Sequence, residues 1–170
     1  MNLRPMKQTR SPSGRRRPAP SRVEVDMSLQ LTPRPPDDQI RAILGGNTFR
    51  WAVDQLPTGV SIDEVRFVDL ISVTREDVDR WVERHGLAST SVRDDRYDGA
   101  EGLYVLPEGG GWVVFYSERG QRSFAHRFVT RAEARRWLVD HLYDSARTSL
   151  NHRWWHAHPD ARPVSIGDMP

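Results

Sequence analysis

The sequence predicts an α+β fold, a single small domain in which an antiparallel β-meander packs against helices. Residues 111–129 show the apolar–polar alternation of two strands around a tight turn. Two helix-start signatures, at Thr74 and Thr130, each precede a stretch with apolar residues at helical spacing. A chain of 170 residues is the usual size of one domain.

Composition narrows the class of protein. The chain is 28% charged and 37% hydrophobic, as globular proteins usually are. It has no apolar run long enough to cross a bilayer, and its N-terminus lacks the apolar segment of a secretory signal. It also has no cysteine, which excludes disulfides, thiolate metal sites and cysteine nucleophiles. We therefore expect a cytoplasmic protein without a membrane span.

Residues 1–36 form a basic arm. They hold eight basic residues against two acidic ones and seven of the twelve prolines, a composition that cannot bury enough apolar surface to fold. We expect the arm to be disordered, and to bind nucleic acid or another acidic surface, to act as a localisation signal, or to be a functionless extension. A further interpretation of these residues is that translation begins at Met27. The rest of the chain carries 17 arginines against 21 acidic residues, a net charge of −4.

The segment after the arm begins with a short helix. Asp37 and Asp38 provide its N-terminal signal and Gly45 its stop, around a run of apolar positions at Ile40, Ala42, Ile43 and Leu44. In residues 48–73 the apolar positions alternate, and this predicts two strands around a turn at residues 57–59.

The first strong helix signal lies at residues 75–85. Thr74 and Asp77 have the spacing of a capping box, and Gly86 stands where a helix terminator is expected. Val78, Trp81 and Val82 then share one face. We interpret His85, on the same face, as a packed or end-capping histidine rather than a ligand.

The meander follows. After a polar connector over residues 89–102, residues 103–106 predict a short strand. Residues 112–116 and 121–129 predict two more, joined by a turn in which Gly120 supplies a positive φ. In the return strand we expect one face to carry Phe124, His126 and Phe128.

A second capped helix closes the domain. Thr130 and Glu133 form its capping box, and it covers one face of the meander. Its expected buried stripe consists of Ala134, Trp137, Leu138, His141 and Leu142. The predicted organisation is an arm over residues 1–36, a domain over residues 37–150 and an extended Trp/His-rich tail over residues 151–170.

The tail carries the strongest metal-like pattern. His152 and His156 are spaced to share a helical face, as zinc-binding histidines are. However, the tail lacks the glutamate of the H-E-x-x-H arrangement, and a third ligand at His158 would require extended backbone there. We predict no metal site, and expect Trp154 and Trp155 to pack the tail onto the domain or to form an aromatic patch for a partner.

Catalytic motifs are weak. No serine sits in a nucleophile elbow. The glycines at 109–111 lead into a predicted strand rather than a helix N-terminus, so they do not place the positive end of a helix dipole where it could bind a phosphate. We predict a protein that is not an enzyme and uses no cofactor.

A family resemblance covers about residues 74–143. Residues 111–120 (GWVVFYSERG), then Phe128 and the helix start Thr130-x-x-Glu133-Ala134, resemble small actinobacterial immunity proteins. These are encoded beside secreted polymorphic toxins, notably toxins with the NAD-glycohydrolase domain of the tuberculosis-necrotizing-toxin type. The resemblance implies a non-catalytic antitoxin that binds its cognate toxin one-to-one in the cytoplasm and blocks the substrate pocket.

The hairpin tip is the predicted interface. We predict contacts to the partner from Tyr116, Glu118 and Arg119, and from Glu108 in the neighbouring glycine-rich turn. Two opposite charges at a hairpin tip are also ordinary surface features. The rival functions are a nucleic-acid-binding accessory protein that uses the basic arm, a hydrolase with zinc on the tail histidines, and a generic protein-interaction domain. The acidic domain makes nucleic acid the less favoured partner.

Overall fold

The computed structural model of the protein describes residues 31, 34–87, 92–94 and 96–161. The arm predicted over residues 1–36 lies outside the described residues except for residues 31 and 34–36, as does the tail from residue 162.

The described chain has the predicted α+β architecture. Its helices are α1 (Pro36–Leu44), α2 (Thr48–Gln55), α3 (Phe67–Leu70), α4 (Arg75–His85) and α5 (Arg131–Ala157). Its strands are β1 (Val92–Arg93), β2 (Gly102–Glu108), β3 (Gly111–Glu118) and β4 (Gln121–Phe128). Two 3₁₀ turns cover Ile62–Glu64 and Pro159–Ala161. None of the described helices is both long enough and apolar enough to cross a membrane.

Both predicted capping boxes are confirmed. At α4, Thr74 Oγ1 accepts from the Asp77 backbone N–H at 3.2 Å, and Asp77 Oδ2 accepts from the Thr74 N–H at 2.9 Å. Thr130 and Glu133 make the same reciprocal pair at α5, with both distances 3.2 Å. These bonds satisfy amides that the first helical turn leaves free.

The end of α4 is also as predicted. Gly86 follows the helix with φ +80°, a conformation that a side chain rarely adopts. His85 caps the last turn, since its Nδ1 lies 2.9 Å from the Trp81 carbonyl oxygen and its ring packs 4.5 Å from the Trp81 ring.

The three predicted strands form the expected antiparallel meander, β2–β3–β4. The two-residue loops that join them have positive φ at both positions, Gly109 and Gly110 in the first and Arg119 and Gly120 in the second. This is the backbone of the tight hairpin turns that follow the natural twist of a sheet.

One strand was not predicted. β1 lies within the polar connector and pairs in parallel with β2, with Val92 opposite Leu103, so the sheet is mixed. Two residues are too few to show an apolar alternation, and only the buried Val92 anchors the strand in the core.

The two strands predicted within residues 48–73 are wrong. Residues 48–55 are the helix α2, in which Thr48 and Ala52, four residues apart, are buried while Val53 is 43% exposed. Aromatic residues at 49 and 51 produced the apparent alternation, but both are only half-buried on the flanks of the helix.

Residues 71–73 do not join the sheet, and a side chain bonds the backbone amides of residues 72 and 73 instead of a neighbouring strand. The buried Gln39 of α1 accepts from the backbone N–H groups of Ser72 (2.8 Å) and Val73 (3.3 Å) through Oε1. Its Nε2 donates to the Arg34 carbonyl oxygen at 2.7 Å.

The predicted extended tail is also wrong where the structure describes it. α5 continues through residue 150 to Ala157 because its buried stripe continues, through Ala146 to Leu150. The next residue, Asn151, is 2% exposed and accepts from the Phe67 N–H at 2.8 Å, which holds α3 against α5.

The main core lies between α5 and the elements around it. Apolar residues of α1, α4, β2 and β3 pack against the α5 stripe. α4 runs antiparallel to α5, because Arg75 pairs with Asp140 and Asp144 at one end while Glu83 pairs with Arg135 at the other. A smaller cluster on the opposite face of the sheet contains Tyr104, Leu106, Val113 and Phe115.

Candidate binding groove and hairpin tip

A groove opens between the sheet and the middle of α5. Its cavity volume is about 680 Å³, within the usual range for binding sites. We call this cavity the groove; its walls include Glu101, Leu103, Tyr116, Phe124, His126, Trp137 and His141.

A row of three rings joins the sheet to the helix along the groove. His126 of β4 packs on Trp137 of α5 with 4.3 Å between ring centroids. Trp137 stacks on His141, one helical turn later, at 5.1 Å with the rings nearly parallel. The sequence predicted Trp137 and His141 in the buried stripe, but Trp137 is half-buried and His141 is exposed. Both side chains line the groove, and Trp137 also packs against the edge of the core.

Tyr116 and Glu101 form the polar part of the groove. The Tyr116 hydroxyl donates to Glu101 Oε1 at 2.9 Å. This hydrogen bond, with smaller effects of burial and of the negative charges of Glu101 and Glu118, raises the pKa of Tyr116. The phenol therefore stays protonated as a donor. Within the described chain the Glu101 carboxylate has no ion-pair partner.

Phe124 lies at the rim of the groove in an unusual conformation. The β3–β4 register shifts between Val114 and Tyr116, so that Phe124 and Ala125 together face the single residue Phe115. At this bulge Phe124 has φ +53° and is 79% exposed. The predicted face of β4 therefore continues from Phe128 to His126, both in contact with Trp137, and is interrupted at Phe124.

Three of the four predicted interface residues lie together. Tyr116 and Glu118 share a face of β3, since they are two residues apart, and Arg119 follows in the turn. The side chains of Glu118 and Arg119 are exposed, and neither is hydrogen-bonded or ion-paired within the described chain. We call Glu118, Arg119 and Gly120 the hairpin tip.

Glu108 lies elsewhere. It precedes the other turn, at the opposite end of β3, and is on the face of the sheet away from Tyr116. Its carboxylate pairs with Arg122 at 2.9 Å and with Arg127 at 2.8 Å. Its predicted contact with the partner would therefore require a surface separate from the hairpin tip.

The tail histidines lie at the end of α5. The rings of His152 and His156 are 4.5 Å apart, while His158 stacks on the Trp154 ring at 4.6 Å. Trp154 also packs against Arg66, whose guanidinium lies 5.8 Å from the indole. The described residues contain no group of three or more His, Asp or Glu that could hold a metal ion.

Sequence reasoning missed most of the groove. Glu101 lies in the predicted polar connector, Trp137 in the predicted buried stripe, and Phe124 and His126 on one predicted regular strand face. A bulge leaves no local signal, because it depends on how two strands align. The ring-bearing positions that alternate on β4 and recur four residues apart on α5 are the available sign that rings meet between them.

Comparisons of the chain with protein families, with curated proteins and with solved structures find no match.

Proposed function

We propose that the protein is a non-catalytic immunity protein that binds a cognate secreted toxin of the NAD-glycohydrolase class and inhibits it. The resemblance over residues 74–143 supplies the class of partner. The groove and the hairpin tip supply a surface on which such a partner can bind.

Phe124 is the observation that carries the proposal. An exposed aromatic ring contributes little to folding, and a non-glycine residue at positive φ costs about 1–3 kcal/mol. Strain of this kind persists where a site needs a particular geometry. A partner that covered the ring would bury on the order of 100 Å² or more of apolar surface, as aromatic anchors do at interfaces.

The hairpin tip contributes two charged side chains to this surface. Glu118 ends β3 and Arg119 begins the two-residue turn, so the hairpin fixes the backbone of both. Because the hairpin already fixes the backbone, pairing of these exposed charges with a partner orders only their side chains, and it contributes specificity as well as a faster approach.

Growth of cells that co-express the chain with the toxin encoded by the adjacent gene tests the proposal. The wild-type chain should restore growth. Phe124→Ala should fail to restore it at low expression, whereas Val129→Ala should restore it fully. Val129 is a matched control, because it is also apolar and 79% exposed but lies just after the far end of β4. Continued toxicity with the wild-type chain would refute the proposal.

A further inference from the structure

We infer that the groove binds a positively charged side chain, arginine or lysine, that a loop of the toxin inserts. The inference rests on the proposed function for the identity of the partner as a protein. The charge of the inserted group follows from the groove itself.

The groove is lined by a single acidic residue. Glu101 is its only carboxylate, no arginine or lysine is among its lining residues, and its basic side chains are those of His126 and His141. Tyr116 occupies one position on Oε1, but a carboxylate accepts about four hydrogen bonds, so most of its capacity remains available. A negative charge at the wall of a concave, largely apolar cavity attracts cations more strongly than the same charge on a flat surface.

Arg93 contacts Glu101 without pairing with its carboxylate. Arg93 pairs with Asp98 through Nε at 3.3 Å, and its Nη1 donates to the backbone carbonyl of Glu101 at 2.8 Å rather than to the carboxylate. The carboxylate is therefore left for a group from outside the described chain.

The aromatic walls of the groove also favour a cationic side chain. Aromatic faces attract cations through the negative potential above the ring, and Tyr116, Phe124 and Trp137 all border the cavity. The described chain uses this interaction elsewhere, since Arg122 lies 4.3 Å from the Phe115 ring centroid and Arg131 lies 5.3 Å from that of Trp112. An anionic group would face Glu101 with like charge, and a neutral group would leave the carboxylate unpaired.

The size of the cavity matches a side chain delivered by a loop. A volume of about 680 Å³ accommodates the cationic group and part of the backbone that carries it. Phe124, exposed at the rim, would then pack against that backbone.

Two peptides that differ only in charge test the inference on the full-length chain. One is a capped tripeptide, Gly-Arg-Gly, and the other replaces its arginine with citrulline, which has nearly the same shape but no charge. Binding is followed by NMR through the shift of the Trp137 indole N–H. The arginine peptide should shift this signal and bind at least tenfold more tightly than the citrulline peptide.

Two variants test whether Glu101 causes the preference for the arginine peptide. Glu101→Gln should remove the preference for arginine, whereas Glu64→Gln, which neutralises an exposed acid outside the groove, should leave it within about twofold. Equal binding of both peptides, no shift at Trp137, or an unchanged preference in Glu101→Gln would overturn the inference. So would tighter peptide binding after Arg15, Arg16 and Arg17 are changed to Ala, because the chain's own arm would then be the occupant.

The toxin separates this inference from the proposed function. If the toxin binds and Glu101→Gln leaves its affinity unchanged, the proposed function stands, but insertion of a cationic toxin side chain into the groove is excluded. If the arginine peptide binds in the groove and the toxin does not bind, the inference about the groove stands and the immunity function fails.

Discussion

At the scale of single residues, Phe124 shows how one position can be costly for folding and useful for binding. Its positive φ arises from the bulge opposite Phe115, and its ring lies in solvent beside the groove. Neither property improves the packing of the domain. Both are understandable if the ring is an anchor for a partner.

A pair of variants measures this strain. Phe124→Ala and Phe124→Gly both remove the ring, but only glycine adopts φ +53° without a steric penalty on Cβ. We predict that Phe124→Gly is more stable than Phe124→Ala by about 1 kcal/mol in urea unfolding. The control is Ala125→Gly, next in the strand, where φ is not positive and the change should destabilise by about 0.5–1 kcal/mol. Equal stability of the two Phe124 variants would contradict the account.

The residues predicted well from the sequence are those whose roles are local. Thr74 and Asp77 satisfy each other's amides within one turn, so their spacing alone predicts the cap. The exposure of Phe124 depends on the alignment of β4 with β3, and the strand's own sequence holds no sign of it.

At the scale of elements, the α4 cap makes stability depend on pH. The Thr74 backbone N–H, with lesser contributions from the Thr74 hydroxyl and Arg80, holds the pKa of Asp77 below its usual value. Since the folded pKa is lowered, this stabilisation is present above the unfolded pKa of about 3.9 and is lost as the pH falls through the folded value.

We therefore predict that Asp77→Ala lowers the free energy of unfolding by about 1 kcal/mol near pH 7, a typical value for a helix cap. The difference from the wild-type chain should shrink below about pH 4. Urea unfolding at a series of pH values measures both. A difference that stays constant down to pH 2 would show that the charge of Asp77 is unimportant.

The extension of α5 has a stabilising contact of its own. Asn151 is buried and supplies the acceptor for the Phe67 N–H at the start of α3. Asn151→Ala leaves that amide unpaired, so we predict a loss of about 2 kcal/mol in the free energy of unfolding. His152→Ala, at the exposed neighbouring position, should change stability by less than about 0.5 kcal/mol. Similar losses in the two variants would argue against a specific role for Asn151.

The elements that could be predicted from the sequence are those formed by interactions between residues close together in the chain. α4, the meander and the start of α5 carry their own signals in caps, turns and alternation, and all were predicted. α2 and the segment 71–73 were not predicted, because both depend on contacts with α1. The Thr48 hydroxyl donates to the Ala42 carbonyl oxygen, and Gln39 accepts from the Ser72 backbone N–H in place of a strand partner. The end of α5 depends likewise on its contact with α3.

At the scale of the whole molecule, the two faces of the sheet differ in what they offer a partner. On one face the groove and the hairpin tip present an exposed ring and three charged side chains, Glu101, Glu118 and Arg119, that have no ion-pair partner among the described residues. On the other, Glu108 is held by Arg122 and Arg127 above the smaller apolar cluster. The central claim is that the first face binds the partner.

Isothermal titration of the full-length chain with the toxin encoded by the adjacent gene tests this claim most directly. We predict one-to-one binding, a Kd at least tenfold higher for Phe124→Ala, equivalent to about 1.4 kcal/mol, and a Kd within about twofold of wild type for Val129→Ala. An unchanged Kd for Phe124→Ala, or no binding by the wild-type chain, would contradict it.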